Sequence, residues 1–284
     1  KKICVIGDEE QLPSVAPGAI LRDLIESKRF GYRQLTHIYR QKEGSEVIRL
    51  ALDIRQENLD LMSFHEDVRF EECAVNEIRP KIQKEIQKAL DEGLSFEDIQ
   101  VISPMYNGTA GIEALNSSLQ ELLNPHSDHK KEIHHGSRLF REGDKVLQLK
   151  NQPDDDVYNG DIGFIEEIRM ENPKQHESLS VIVLFGDHCV EYSYQNLDKL
   201  NLAYCISIHK SQGSEYPMVI VPICSQHRSM LRKRLLYTAM TRSSKRLWIF
   251  GSKEEFERGI HLSEKNVRKT TLVQRLTQQN SFLW

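Results

Sequence analysis

Long hydrophobic runs are missing from this 284-residue chain. No apolar stretch reaches the roughly 20 residues that a membrane-crossing helix needs, and there is no signal peptide. An excess of basic charge is missing too: 38 Lys and Arg face 42 Asp and Glu, for a net charge of −4. A global basic field is excluded, so any contact with nucleic acid must come from a local patch or groove. Paired cysteines are also absent. The five, Cys4, Cys73, Cys189, Cys205 and Cys224, lie far apart in odd number, with no CxxC and no zinc spacing. A disulfide framework and a zinc site are excluded, and the thiols read as reduced, mostly buried side chains of a cytosolic, cytoplasmic protein.

What is present alternates strand and helix. Lys2 to Ile6 is a short apolar run that reads as a buried parallel strand. A helix follows Pro17 and Gly18, with Ile20, Leu21, Leu24 and Ile25 on one face. Gln34 to Ile38 reads as a strand and Ser45 to Glu57 as a helix. Ile78, Ile82, Ile86 and Leu90 step by four, with Pro80 expected in the first turn and Gly93 as a stop. Ile99 to Ser103 reads as a strand, and Ile112, Leu115, Leu119 and Leu122 mark the next helix. This is the pattern of a doubly wound α/β domain. It breaks from about Gly143 to Leu200 into short strands punctuated by Asn159-Gly160, Asn172-Pro173 and Gly186-Asp187, an all-β insertion read as a small barrel. The α/β pattern resumes with strands at Ala203 to His209, Met218 to Ile223 and Arg246 to Gly251, and a helix around Leu231 to Met240. Residues 263–284 form a weakly specified tail.

Four short runs carry chemistry. Gly7-Asp8-Glu9-Glu10-Gln11-Leu12-Pro13-Ser14-Val15 places Gln11 just beyond the first strand, where a neutral amide can hydrogen-bond a γ-phosphate. Tyr39-Arg40-Gln41 puts an arginine at a strand end, a guanidinium suited to gripping phosphate bidentately. In Ser207-Ile208-His209-Lys210-Ser211-Gln212-Gly213-Ser214-Glu215, His209, Lys210 and Ser211 are donors for a phosphate. Gly213 permits close backbone approach, and Glu215 can accept from a ribose hydroxyl. Leu236-Tyr237-Thr238-Ala239-Met240-Thr241-Arg242 sets Arg242 at a helix end, as a candidate arginine finger or as a partner of the helix C-terminus.

Taken in this order, the four runs resemble motifs III, IV, V and VI of the RecD-like helicases, the 5′→3′ branch of superfamily 1, in the exodeoxyribonuclease V alpha-subunit family. The resemblance covers Ile3 to about Gly251 and includes Ser103-Pro104-Met105-Tyr106-Asn107-Gly108, similar to the family's DNA-contacting segment. Gly143-Asp144-Lys145-Val146 and Val157-Tyr158-Asn159-Gly160-Asp161-Ile162-Gly163 match the opening strands of the family's SH3-like barrel. The fold implied is α/β: a RecA-like P-loop NTPase motor domain with a parallel sheet, interrupted by that barrel. Residues 1–28 would end a first motor domain, 29–142 and 201–262 would form the second, and 143–200 would form the barrel.

By this resemblance Gln11, Arg40, Gly213, Glu215 and Arg242 face ATP, with Gln11, Arg40 and Arg242 in catalytic roles. Pro13, Ser14, Val15, Asn107, His209, Lys210 and Ser211 face single-stranded DNA. No metal ligand is expected within the chain. The Gly-x-x-x-x-Gly-Lys-Ser/Thr loop and the acidic pair that holds Mg²⁺ do not occur in it. Lys1 follows no initiator Met. The expectation is therefore the C-terminal half of an ATP-driven, DNA-unwinding repair or recombination motor, inactive alone, whose partners are single-stranded DNA, an upstream motor half and nuclease or repair subunits. The alternatives are a single-stranded DNA-binding module without ATPase activity and the helicase part of a conjugative relaxase.

Overall fold

The computed structural model describes residues 3–13, 17–34, 45–170, 179–262 and 268–278. Its centre is a five-stranded parallel sheet. The strands are β1 (Val68–Glu72), β2 (Ile99–Ser103), β10 (Cys205–Ser207), β11 (Tyr216–Ile223) and β12 (Ser243–Gly251), in the order β1-β12-β11-β2-β10. Side chains alternate faces along a strand. Met218, Ile220 and Trp248 therefore enter one apolar cluster, while Val219, Val221, Leu247 and Ile249 enter the other. The first cluster is covered by α3 (Val75–Asp91) and α4 (Ile112–Leu123). The second is covered by α2 (Glu46–Gln56), α5 (Lys233–Met240) and α6 (Lys253–Ile260). Burial on both faces is why these strands are apolar runs rather than alternating ones. Strand β12 ends at Gly251 (φ 134°), where a Cβ would lie 1.8 Å from the Ile223 carbonyl oxygen; only glycine lets the two strand ends approach.

A second sheet is antiparallel, in the order β8-β7-β6-β5-β9. Its strands are β5 (Lys145–Gln148), β6 (Ile162–Met170), β7 (Leu179–Phe185), β8 (His188–Ser193) and β9 (Leu200–Leu202). A hairpin of β3 (Glu132–His135) and β4 (Arg138–Arg141) precedes it. Strands β9 and β10 are separated by two residues, so one short segment belongs to both sheets. Side-chain amides pin that segment. Asn116 on α4 donates to the Leu202 and Cys205 carbonyls and accepts from the Cys205 N–H. Gln100 donates to the Ala203 and Tyr204 carbonyls.

Asp144 anchors the turn ahead of β5. It is fully buried and accepts from Asn124 Nδ2 (2.7 Å), Gln120 Nε2 (2.6 Å), Tyr204 Oη (2.8 Å) and the Arg141 N–H (2.7 Å). Burial pushes its carboxyl up while these donors pull it down, and burial wins. Beside it Lys145 is buried with its ammonium 3.3 Å from the Ile99 carbonyl, and burial lowers its pKa to about 8. Glu46 works differently. Its carboxylate accepts from the N–H groups of His65, Glu66, Asp67 and Val68 and seats the approach to β1. Burial alone would raise its pKa, yet the four donors hold it below the ordinary value.

Four expectations are corrected. Residues 3–6 form no strand, and Ile3 and Ile6 are about nine-tenths exposed. An apolar run becomes a parallel strand only when neighbours pair with it, and the described residues supply none. Pro80 is the sixth residue of α3, not part of its first turn; its missing N–H costs one intrahelical bond inside the helix. Only Cys205 and Cys224 are buried, while Cys4 and Cys189 are exposed. The tail contains a helix, α7 (Leu272–Gln278), packed on α1 (Ile20–Ser27). Most of the strand expected at Gln34 to Ile38 lies outside the described residues. Among the described residues no helix is long and apolar enough to cross a membrane.

Asp144→Ala leaves three buried side-chain donors without their acceptor and is expected to cost about 3 kcal/mol. Urea unfolding checks this, and an unchanged midpoint would remove Asp144 from the anchoring role. Glu46→Gln is expected to cost about 2 kcal/mol at neutral pH. A depressed folded-state pKa gives stability that is present above the unfolded pKa and lost as pH falls through the folded one. The difference between wild type and Glu46→Gln should therefore shrink below about pH 4 in a pH series of melts.

Candidate nucleotide and nucleic-acid interface

The parallel sheet gives the candidate residues two addresses. Loops 104–111 and 208–215 both leave the C-terminal edge, from the paired strands β2 and β10. Asn107, His209 and Lys210 lie at that edge. The second loop then runs back to the opposite edge, where β11 and β12 begin. Glu215 and Arg242 immediately precede Tyr216 and Ser243 there. The general preference for ligand crevices at strand C-terminal ends thus suits the first group and not Arg242. The turn after α5 delivers Arg242 to the N-terminal edge.

At that N-terminal edge Arg242 is a hub. Its guanidinium is almost fully buried and donates to the Thr238 carbonyl (3.0 Å), the Ser214 carbonyl (3.0 Å), Thr241 Oγ1 (3.2 Å) and Gln11 Oε1 (3.3 Å). The Thr238 contact is the helix C-terminal pairing anticipated for it. The Gln11 contact crosses 231 residues of sequence. The segment carrying Gln11 is held by more than this. The Leu12 N–H donates to Thr238 Oγ1 (2.8 Å), and Gln212 Nε2 donates to the Leu12 carbonyl (2.7 Å). Tyr237 Oη donates to Asp8 Oδ2 (3.1 Å). Burial and then the neighbouring Asp8 carboxylate push the Tyr237 phenol well up. The structure therefore brings together three of the four runs: Gly7 to Pro13, Ser207 to Glu215, and Leu236 to Arg242. Pro13 is half-buried beside the pinned Leu12. Arg40, Ser14 and Val15 lie outside the described residues.

The other edge is open. Asn107 and His209 are exposed, and Lys210 is half-buried. The Lys210 ammonium contacts the Asn159 side chain in the turn between β5 and β6, and burial lowers its pKa. Loop 104–111 is held by Gln226, whose Oε1 accepts from both the N–H and the hydroxyl of Thr109 at 3.2 Å. Gly213 (φ 89°) and Glu215 are exposed. Ser211 departs from its expected role. It is fully buried and its hydroxyl donates to the Ile208 carbonyl at 2.8 Å, so it shapes the loop instead of facing a phosphate.

Sequence reading passed over Thr238, Gln212, Gln226 and Asn159. All but Gln226 lie inside the quoted runs, but nothing in a sequence says that a threonine hydroxyl accepts from a backbone 226 residues away. Chemically, the N-terminal edge presents an amide and a guanidinium already in contact, which suits a polyanionic ligand. The C-terminal edge presents a half-buried ammonium with an exposed imidazole and amide, groups that suit a backbone of phosphates. Among the described residues no group of three His, Cys, Asp or Glu is arranged to hold a metal ion.

Comparisons with known proteins agree with this layout. Residues 115–185 match the family model of the ATP-dependent RecD-like DNA helicase SH3 domain. That span includes most of α4, whose Asn116 and Gln120 amides seat the antiparallel sheet. Residues 202–250 match the UvrD-like helicase C-terminal domain, and 1–72 match an AAA domain. The chain is similar to the ATP-dependent RecD2 DNA helicase of Deinococcus radiodurans, 28% identical over 97% of this chain and 36% of that protein. It is also similar to the conjugal transfer protein TraA of Agrobacterium fabrum, 29% identical over 95% of this chain and 24% of that protein. It thus spans well under half the length of either relative. A solved structure of two Pif1 helicases coordinating at forked double-stranded DNA shares the fold, with a TM-score of 0.51 at 18% identity, covering 88% of this chain and 61% of that one.

Arg242→Ala is expected to lower stability by about 2 kcal/mol, because the Thr238 and Ser214 carbonyls lose a charged donor. A urea midpoint equal to wild type would show that the guanidinium holds nothing in place. Motif order, the part-buried Gln11–Arg242 junction and the matches agree, and the chain is similar over nearly its whole length to the RecD-like helicases.

Proposed function

We propose that the chain is the C-terminal motor half of an ATP-dependent DNA helicase that moves along single-stranded DNA and unwinds duplex 5′→3′ in repair or recombination. The observation that carries this reading is the Arg242–Gln11 hydrogen bond, with Leu12 held between Thr238 and Gln212. It joins a helix end, a loop and a distant segment at one polar junction. In this reading residues 1–28 end the first motor domain, 29–142 and 201–262 form the second, 143–200 form the barrel and 263–284 the tail. The whole protein works in the cytoplasm.

Gln11 and Arg242 fit a nucleotide's γ-phosphate, as an amide and a charged fork already oriented by carbonyls. Arg40 is assigned to the same phosphate by the family resemblance, and Gly213 and Glu215 flank the ribose. ATP supplies the phosphoryl bond whose cleavage drives movement. The phosphate cradle and the Mg²⁺ ligands belong to the upstream motor half, so this chain alone contributes one wall and little turnover. When a phosphate draws Arg242 away from Gln11, the pinned segment loses one of its ties, and loop 208–215 carries that change to the opposite edge. There Asn107, His209 and Lys210 track the DNA backbone, and Pro13, Ser14 and Val15 of the first domain are assigned to the same strand by the family resemblance alone. Asn159 brings the antiparallel sheet into the same groove through Lys210. Nuclease or repair subunits complete the partner set.

The similarity to TraA over nearly the whole chain favours one second reading, the motor part of a conjugal-transfer protein. A nicking domain upstream in the gene would decide for it.

The test is ATP hydrolysis by the upstream-extended protein with and without a single-stranded oligonucleotide. Strong stimulation is expected, and Gln11→Ala should lower the stimulated rate at least tenfold. No hydrolysis from a folded extended protein would overturn the motor in favour of a binding module. Lys210→Ala should weaken oligonucleotide binding and reduce the slope of log affinity against log salt by about one. An unchanged slope would remove Lys210 from the phosphate-tracking set.

A further inference from the structure

Residues 268–278 of the tail pack on α1, and their contacts are specific. Thr270 Oγ1 donates to Asp23 Oδ2 at 2.7 Å, and Asp23 is almost fully buried. Arg268 Nη1 donates to the Gly18 carbonyl at 2.8 Å, and Arg22 Nη2 donates to the Arg268 carbonyl at 3.0 Å. Arg29 donates to the Leu276 and Thr277 carbonyls at 3.1 and 3.4 Å, placing a cation on the last turn of α7. Every one of these contacts lies on or beside α1. That helix is continuous in sequence with the Asp8 to Pro13 segment that meets Arg242.

The residue that precedes the tail is fixed too. The Leu262 carbonyl accepts from the Lys233 N–H at 3.1 Å, at the start of the helix that carries Tyr237 and Thr238. Only five residues separate Leu262 from Arg268, a span of about 20 Å at full extension. A short link therefore ties α1 to α5 by a route independent of the Gln11–Arg242 contact.

We propose that residues 268–278 are an intramolecular strap. The strap docks on α1 and holds the Asp8 to Pro13 segment in register with Thr238, Gln212 and Arg242. It acts as a positioning device for Gln11. Within the proposed function it limits how far the two motor domains separate between turnovers. It rests on that reading only for this last consequence; the docking itself does not depend on ATP or DNA. Two features single the tail out for this role. Asp23 is a buried carboxylate on α1 that accepts a hydroxyl from the tail, and such a group is retained at a cost unless its partner stays. The polar ties end in backbone carbonyls and one carboxylate, so they fix the geometry of the strap as well as its affinity.

Amide hydrogen exchange of this chain, without nucleotide or oligonucleotide, tests the strap. Two variants are measured beside wild type: truncation after Leu262, and Arg268→Ala/Thr270→Val, which leaves the central sheet and its helices intact. Exchange at residues 8–13 and 20–27 is expected to accelerate at least tenfold in both, while helix 75–91 keeps its wild-type protection. Equal protection of 20–27 in wild type and the double variant would overturn the proposal. If truncation loosens helix 75–91 as well, the double variant decides alone. In the upstream-extended protein the same double variant should raise the KM for ATP more than it lowers kcat. Accelerated exchange without hydrolysis in any form would keep the strap and sink the motor reading, so the two failures are distinguishable.

Discussion

The Asp144 carboxylate is the point on which the relation between the two sheets depends. Two side-chain amides, a phenol and a backbone N–H converge on it from α4, from the end of β4 and from the segment between β9 and β10. A carboxylate is costly to bury, and here the cost is met by donors that have no other acceptor of equal strength. The result is a joint with one low-energy arrangement. Because β9 and β10 are almost contiguous, fixing the joint also fixes the antiparallel sheet against the parallel one. The Asn159 turn is thereby placed within reach of Lys210.

A similar device operates at the other edge of the parallel sheet with the charges reversed. Arg242 is a buried cation satisfied by carbonyls and one amide. Both centres are single charged groups surrounded by neutral partners of the opposite polarity. They differ in what the partners belong to. Asp144 gathers groups within one structural unit and acts as scaffold. Arg242 gathers groups from segments far apart in sequence, including one held by hydrogen bonds, the Arg55–Glu10 ion pair and the packing of Leu12. A contact of that kind can be exchanged at modest cost, since each neutral bond contributes only about 1 kcal/mol net. Burial of Arg242 also means that its loss disturbs folding as well as any chemistry it performs, so its two roles separate only when stability and turnover are measured together.

The open edge is built from the complementary principle. Asn107 and His209 are exposed on loops whose backbones are held by side-chain hydrogen bonds, those of exposed Gln226 for the first and buried Ser211 for the second. Pre-ordered loops present polar side chains without an ordering cost at the moment of binding. The exposed Ile3 and Ile6 stand apart from this order. They are apolar in the manner of a buried strand, yet nothing among the described residues covers them.

Much was legible from the chain alone. Periodicity placed β2, α4 and β11 within a residue or two and marked where the inserted β segment begins, because apolar spacing reports burial directly; the short β9 was not foreseen. The motif runs carried the resemblance to the RecD-like helicases that the comparisons repeat, because close approach to a polyanion restricts residue type at each position. Register between runs was a different matter. That Gln11 meets Arg242, that Thr238 accepts from Leu12 and that Ser211 is buried are facts of contact between residues tens to hundreds of positions apart, and a one-dimensional pattern carries no such distances. The apolar run before Gly7 has the pattern of a strand, but a strand exists only when partners pair with it. The tail has too few apolar residues to declare itself, and its helix is held by α1 through polar ties. The sequence by itself determined the alternation of elements, the inserted sheet and the residue types at the motif positions, all of which follow from local burial and local chemistry. Only the tertiary structure decided which polar groups meet, since a hydrogen bond depends on position in space and leaves no period in the chain.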